Sequence, residues 1–200
     1  MTSPLTRLRS TLPLLVAALG TLNSPCAAPL PLVREPLGPC SRRSGLVFSE
    51  IMYHPCRESG QTAQRLEFIE IYNSEPLFHD LSGYRLTGAI DYTFPTNTVL
   101  PAESFLVVAR DPVALQAAYA LTNVLGPWIG ATTNGLPDDE GRLRLRHRAG
   151  AVLLEVNYRG RAPWPLAADG SGHSLVLARP SYGEDDPRAW APSDVIGGSK

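Results

Sequence analysis

Two carboxylates stand inside the run RLEFIEIYN, residues 65–73: Glu67 and Glu70. Glutamates among apolar and aromatic neighbours can serve as an acid and base pair, as metal ligands, or as braces for loop donors. Glu50 and His54 in EIMYHP would join them only if the strands carrying them pair. On a regular strand, however, Glu67, Ile69, Ile71 and Asn73 share one face, and Phe68, Glu70 and Tyr72 share the other. The two glutamates then point to opposite sides unless a bulge resets the register. A partly buried glutamate needs a partner, and Arg65, Arg85 or N–H groups of the following loop are the candidates. Serines are common but none sits in a strained nucleophile turn. DGSGH lacks the lysine and the following helix of a phosphate cradle. His54 beside Cys56 has no second pair of ligands for zinc. The residues therefore imply no catalytic set and no cofactor. A hydrolase stands only as an alternative, one that would require a deep cleft joining the carboxylates.

Other residue types suggest binding. In GRLRLRHR, Arg142, Arg144, Arg146 and Arg148 fall on one face of a strand, with Leu143, Leu145 and His147 on the other. Such a ladder, about 20 Å long, suits DNA phosphates, anionic cell-wall polymers or a partner protein's carboxylates. The bland reading is a solvated strand face balanced by Asp138, Asp139, Glu140 and Glu155. No aromatic residue interleaves the arginines, so nucleic-acid base stacking is not indicated. The acidic loops PDDEG and GEDDPRAW admit calcium, although neither has the spacing of a helical calcium loop, and Asp185 and Asp186 before Pro187 suit a turn equally well. Trp128, Trp164 and Trp190 lie between the strands. They either close the ends of a core or stack on carbohydrate.

These residues need a scaffold of short elements. The chain has 200 residues, room for one domain with tails. Its 17 glycines and 19 prolines favour many turns over long helices. A net charge of -1 selects neither nucleic acid nor an anionic membrane globally, which leaves only local patches to do so. Strands are expected at LVFSEIMY, LEFIEIYN, YRLTG, DYTFP with TVL, SFLVVAR, GRLRLRHR, GAVLLEVNY and HSLVLARP. DPVALQAAYA, 111–120, reads as one short crossover helix, capped by Asp111 with Pro112 in its first turn. About eight strands without regular βαβ alternation predict an all-β sandwich of short antiparallel strands.

The first 28 residues read as an export signal: Arg7 and Arg9, then TLPLLVAALGTL, then the small residues of NSPCAAP. The apolar run is too short for an ordinary membrane span. Leu22–Cys26 faintly resembles a lipoprotein signal, so lipid anchoring at Cys26 is the alternative to a soluble product. Residues 29–45 form a Pro-, Arg- and Ser-rich spacer, 46–195 the domain, and 196–200 a tail. With Cys26 removed or lipidated, Cys40 and Cys56 remain as a pair that an oxidising compartment would join in a disulfide. The expected location is outside the cell or at its envelope.

EIMYHP, EFIEIYN, DLSGYRLTGAIDYTFP, FLVVAR, TNGLPDDEGRLRLRH, NYRGRAPWP, GHSLVLARP and DDPRAW follow one another in an order that resembles the lamin-tail domain in its bacterial secreted form. The resemblance covers roughly residues 46–195. It implies an immunoglobulin-like β-sandwich and a non-catalytic module for interaction or scaffolding. The family's acidic strand motif falls on Glu67 to Asn73, including Glu70. Its turn motif falls on Asp80 to Leu86, including Gly83 and Arg85, with Tyr84 where the family often has tryptophan. Within that turn, Asp80 is placed to accept from the N–H of Ser82 or Gly83, and Gly83 to adopt a positive φ. The combined expectation is an exported interaction module for a protein, a cell-wall polymer or another polyanion, nucleic acid among them. A carbohydrate- or calcium-binding module is the alternative.

Overall fold

The computed structural model describes residues 34–41, 43–56, 63–130 and 135–198. The stretch read as an export signal, residues 1–28, lies outside the described residues. Twelve strands and one α-helix are formed among them. The strands are β1 (Leu46–Met52), β2 (Phe68–Asn73), β3 (His79–Asp80), β4 (Arg85–Gly88), β5 (Ile90–Thr93), β6 (Val99–Leu100), β7 (Phe105–Ala109), β8 (Ile129–Gly130), β9 (Glu140–Arg146), β10 (Val152–Arg159), β11 (Leu175–Leu177) and β12 (Trp190–Pro192), with α1 at Pro112–Tyr119.

One sheet runs β12–β11–β1–β2–β7 and the other β10–β9–β4–β5–β8, with β3 and β6 forming a separate pair. Every named strand pairing is antiparallel. A single core fills the space between the sheets, from Phe48, Ile51, Ile69 and Ile71 on one side to Leu86, Leu143, Leu145 and Val156 on the other. The protein is thus an all-β, immunoglobulin-like sandwich. The alternation read from GRLRLR appears directly: Leu143 and Leu145 are fully buried and the arginines between them face outward.

β1 is buried along its whole length, which its lack of alternation reflects. Its outer side is covered where Met52, with Phe68 and Ala109, meets Leu115 of α1. That helix starts where expected. The Asp111 carboxylate accepts from the N–H of Ala114 at 2.9 Å, and Pro112 opens the first turn. Before β1, the N–H of Glu35 donates to Ala178 O at 2.7 Å, and Leu37 packs against the core.

Two findings extend or revise the sequence reading. A strand after HSLVLARP, absent from that reading, forms where Trp190–Pro192 pairs with β11 and supplies an edge strand. No disulfide joins Cys40 and Cys56, which are both free thiols. They flank β1, seven extended residues or roughly 20 Å of chain, whereas a disulfide requires Cα atoms within about 7 Å. Cys40 sits beside Glu184 and burial raises its pKa, while Cys56 packs near Gly172.

Candidate interaction face

Glu67 and Glu70 lie on opposite faces of the first sheet. Glu67 is fully buried on the core side. Its carboxylate accepts from the N–H of Leu136 at 2.7 Å and from Arg110 Nη1 at 3.2 Å. Burial raises its pKa to about 7, against the lowering pull of the Leu136 N–H and of Arg110. The partner is therefore neither Arg65 nor Arg85. Pairing of Phe68 with Ala109 sets residue 110 opposite residue 67, and the N–H of Arg110 also donates to Glu67 O at 3.1 Å. Arg65 instead meets Asp111 at 2.7 Å, and Arg85 lies on the other sheet. Glu67 braces the approach to β9.

Glu70 faces outward and accepts from Ser49 Oγ at 2.8 Å. A register shift between Phe48 and Glu50 places Glu50 directly opposite Glu70. Burial, opposed by Ser49 and assisted by Glu50, raises the Glu70 pKa to about 7. Ser174 Oγ donates to Glu50. The bulge that matters is thus in β1 rather than β2, and it juxtaposes Glu50 with Glu70 instead of Glu67 with Glu70. A cavity of about 260 Å³ opens over this pair, with Phe105, Val176 and Leu177 in its lining. His54 is elsewhere, held by Asp169 Oδ1 at 2.7 Å with Asp138 Oδ2 at 3.8 Å. The four residues do not converge.

The remaining motif residues tie loops to strands. Asn73 is fully buried; its Nδ2 donates to Leu77 O at 2.7 Å and Pro101 O at 2.9 Å, and its Oδ1 accepts from the N–H of Glu75 at 3.0 Å. Asp80 accepts from the N–H of Ser82 at 3.0 Å, and Gly83 has φ +73°. These contacts reproduce the turn chemistry read from DLSG.

The outer face of the second sheet is basic. Arg142, Arg144 and Arg146 project from β9, Arg85 stands opposite Arg146 on β4, and Arg159 lies across from Glu140. Three carboxylates answer them. Asp91 takes Arg85 Nη2 at 2.9 and 3.0 Å, Glu155 takes Arg144, and Glu140 takes Arg159 at 3.8 Å and Arg161 at 3.2 Å. The Arg144 hydrogen bond lowers the Glu155 pKa. Arg146 donates to Thr87 Oγ1 at 3.2 Å and to Gly150 O at 2.9 Å, groups that carry no charge. Among the described residues, Arg142 and Arg146 form no salt bridge with a carboxylate, although the Arg142 charge also helps lower the Glu155 pKa. A shallow hollow of about 250 Å³ beside Arg142 includes Asn157 and Arg159 in its lining.

The ladder is shorter than the alternation implied. β9 ends at Arg146, and residues 147–150 form a turn in which the N–H of Gly150 bonds His147 O at 2.7 Å. Arg148 leaves the strand line and meets Asp80 at 3.6 Å. The cross-strand neighbour Arg85 takes its place on the face. Sequence spacing along one strand carried no signal for that neighbour.

Carboxylates of the two acidic loops meet protein donors: Glu140 accepts from Arg161, Asp185 from Asn157 and Asp186 from Arg188. Among the described residues, no three His, Cys, Asp or Glu side chains group so as to hold a metal ion. Trp128, Trp164 and Trp190 are all buried, and the last two lie 6.2 Å apart, closing the core. No described helix is long and apolar enough to cross a membrane.

No curated protein matches the chain. A family model, the lamin tail domain, matches residues 40–160, more than half of the 200 residues. The matched span runs from β1 through β10 and contains Glu67, Glu70, Asn73, the Asp80 turn and the arginine face. β11 and β12 lie beyond it and complete the first sheet beside β1. By the extent of that match and by its immunoglobulin-like sandwich, the chain belongs to the lamin tail domain family.

Proposed function

We propose that the protein is a non-catalytic, exported interaction module that binds a linear polyanion on the arginine-bearing face of its second sheet. One observation carries the reading: neither Arg142 nor Arg146 forms a salt bridge with a described carboxylate, on a surface that also holds Arg85 and Arg144. Guanidinium groups on a sheet face suit phosphates, each able to offer two parallel donors. Spacing along β9 sets alternate arginines about 7 Å apart, so a chain with repeated charges can meet more than one of them. Contacts of this kind position a backbone without reading its sequence. Phosphate-bearing cell-wall polymers and single-stranded nucleic acid share that chemistry.

The enzyme alternative draws no support from the glutamates, which face opposite sides of a sheet and are bound to structural donors. The carbohydrate alternative loses its stacking platform with the tryptophans buried. Binding of the full chain to an anionic glycerol-phosphate polymer and to a single-stranded oligonucleotide tests the proposal. Wild type should bind either or both, and replacing Arg142 and Arg146 should weaken that binding. Failure of wild type to bind both, or unchanged binding by the variant, would remove its basis.

A further inference from the structure

β10 is the longest edge strand among the described residues, with eight residues against five in β7, three in β12 and two in β8. The β7 edge is already engaged: the N–H of Leu125 donates to Val107 O at 2.9 Å, and Leu125 O accepts from the N–H of Ala109 at 2.8 Å. β12 and β8 are too short to offer much ladder. Among the described residues, β10 ends its sheet with no strand beyond it. Long edges of this kind are templates for another chain unless they are covered.

Side chains from two loops stand where a neighbouring main chain would be. Glu184 accepts from the N–H of Glu155 at 3.4 Å. Asp185 accepts from the N–H of Asn157 at 2.7 Å and from its Nδ2 at 3.0 Å. Ser41 Oγ donates to Leu153 O at 3.3 Å, and Arg43 Nη1 donates to Val152 O at 3.4 Å. Carboxylates thus replace carbonyls, while a hydroxyl and a guanidinium replace N–H groups. Several of these contacts are long and solvent-facing, so a better-aligned strand can displace them. An open groove of about 490 Å³ follows the edge, with Ser41, Arg43, Glu184 and Asp185 in its lining.

We propose that the outer edge of β10 docks one extended, basic peptide segment of a partner protein as a sixth strand of the second sheet. Its carbonyls take the N–H groups of Glu155 and Asn157, and its N–H groups take Leu153 O. Main-chain bonds of this kind supply affinity, and alternate side chains supply specificity. The basic character follows from the lining. Glu184 and Asp185, once displaced, need cationic partners, and Arg43 is the only cation among the groove's described lining residues. The groove's lining includes neither Arg142 nor Arg146, so replacing those arginines leaves the edge contacts in place and the two proposals can fail independently.

The test titrates the isotope-labelled full chain with an eight-residue peptide of alternating lysine and valine. Amide exchange at Glu155 and Asn157 should slow by about tenfold or more, while β4 amides stay unchanged. A peptide N-methylated at alternate residues, and one with glutamate for lysine, should each bind about tenfold weaker or worse. Asn157→Pro removes an N–H that points away from β9 and should reduce binding similarly with its melting transition kept. If that variant does not fold, Asp185→Lys leaves the backbone intact and should cut binding of the lysine peptide by about tenfold. The proposal is overturned by equal binding of the control peptides, by undiminished binding to the variant that folds, or by protection appearing away from β10. A second copy of the chain occupying β10 and excluding the peptide overturns it as well.

Discussion

Replacing both Arg142 and Arg146 by glutamine removes two charges without stranding an anion, because neither is in a salt bridge and Glu155, which feels the Arg142 charge, keeps Arg144. Each arginine that neutralises a phosphate contributes about 0.7 to 0.9 to the slope of log K against log salt. Two such contacts contribute about 1.4 to 1.8, so raising salt from about 50 to about 200 mM should weaken wild-type binding roughly 7- to 12-fold through them alone. The double variant should lose that part of the slope. The two side chains start about 13 Å apart along β9, beyond the screening length of about 10 Å near 0.1 M salt, so each single variant should lose about half. The stability cost should stay near 1 kcal/mol, the scale of the neutral hydrogen bonds lost at residue 146. Fluorescence anisotropy of a labelled oligonucleotide and of a labelled glycerol-phosphate polymer, at four salt concentrations, measures the slope. Arg65→Gln, on an arginine paired with Asp111 beside α1, serves as the control off the face. An undiminished slope in the double variant, or an equal loss in the control, would refute the reasoning.

Glu67→Ala leaves Arg110 and the N–H of Leu136 without their shared carboxylate and should cost about 3 to 5 kcal/mol in chemical denaturation, with Glu67→Gln milder because it keeps an acceptor. The raised pKa values of Glu67 and Glu70, about 7 against 4.5 for the ordinary group, mean that the folded chain holds protons more tightly than the unfolded one. Their contribution to stability is therefore fully present below about pH 4.5 and lost as pH rises through about 7, by up to roughly 3 kcal/mol each. Urea unfolding at pH 5 and pH 8 should show this fall, and Glu70→Gln should flatten it. Gly88 has φ +111°, and a Cβ there would stand 2.1 Å from Arg142 O; Gly88→Ala should destabilise by more than about 2 kcal/mol in thermal melts and disturb the arginine face. Alkylation of the chain unfolded without reductant should label both Cys40 and Cys56, and labelling of neither would restore the disulfide.

The features legible in the sequence were those with a local cause. Arg142 and Arg144 alternate with Leu143 and Leu145, and that period placed charge outside and leucine inside. The helix was visible in Asp111, Pro112 and the following alanines, and the Asp80 turn in DLSG. The opposite orientation of Glu67 and Glu70 also followed from strand geometry. Their partners did not: Arg110 and Leu136 lie 43 and 69 positions from Glu67 along the chain, and sequence proximity favoured Arg65. The last strand was missed because Trp190–Pro192 is only three residues long, embedded among turn residues, and acquires its character from β11.

By itself the sequence determined which side chains of residues 67–73 and 142–146 face in or out, where the helix begins, and which turns carry Asp80 and Gly83. Those outcomes depend on residues a few positions apart. The tertiary structure alone decided that Glu50 opposes Glu70, that Arg85 joins the β9 arginines while Arg148 leaves them, and that β10 is bordered by carboxylates. Pairing register sets all three, and register joins residues remote in the chain. It also decided which arginines form ion pairs, because an ion pair requires a carboxylate within a few ångströms in space.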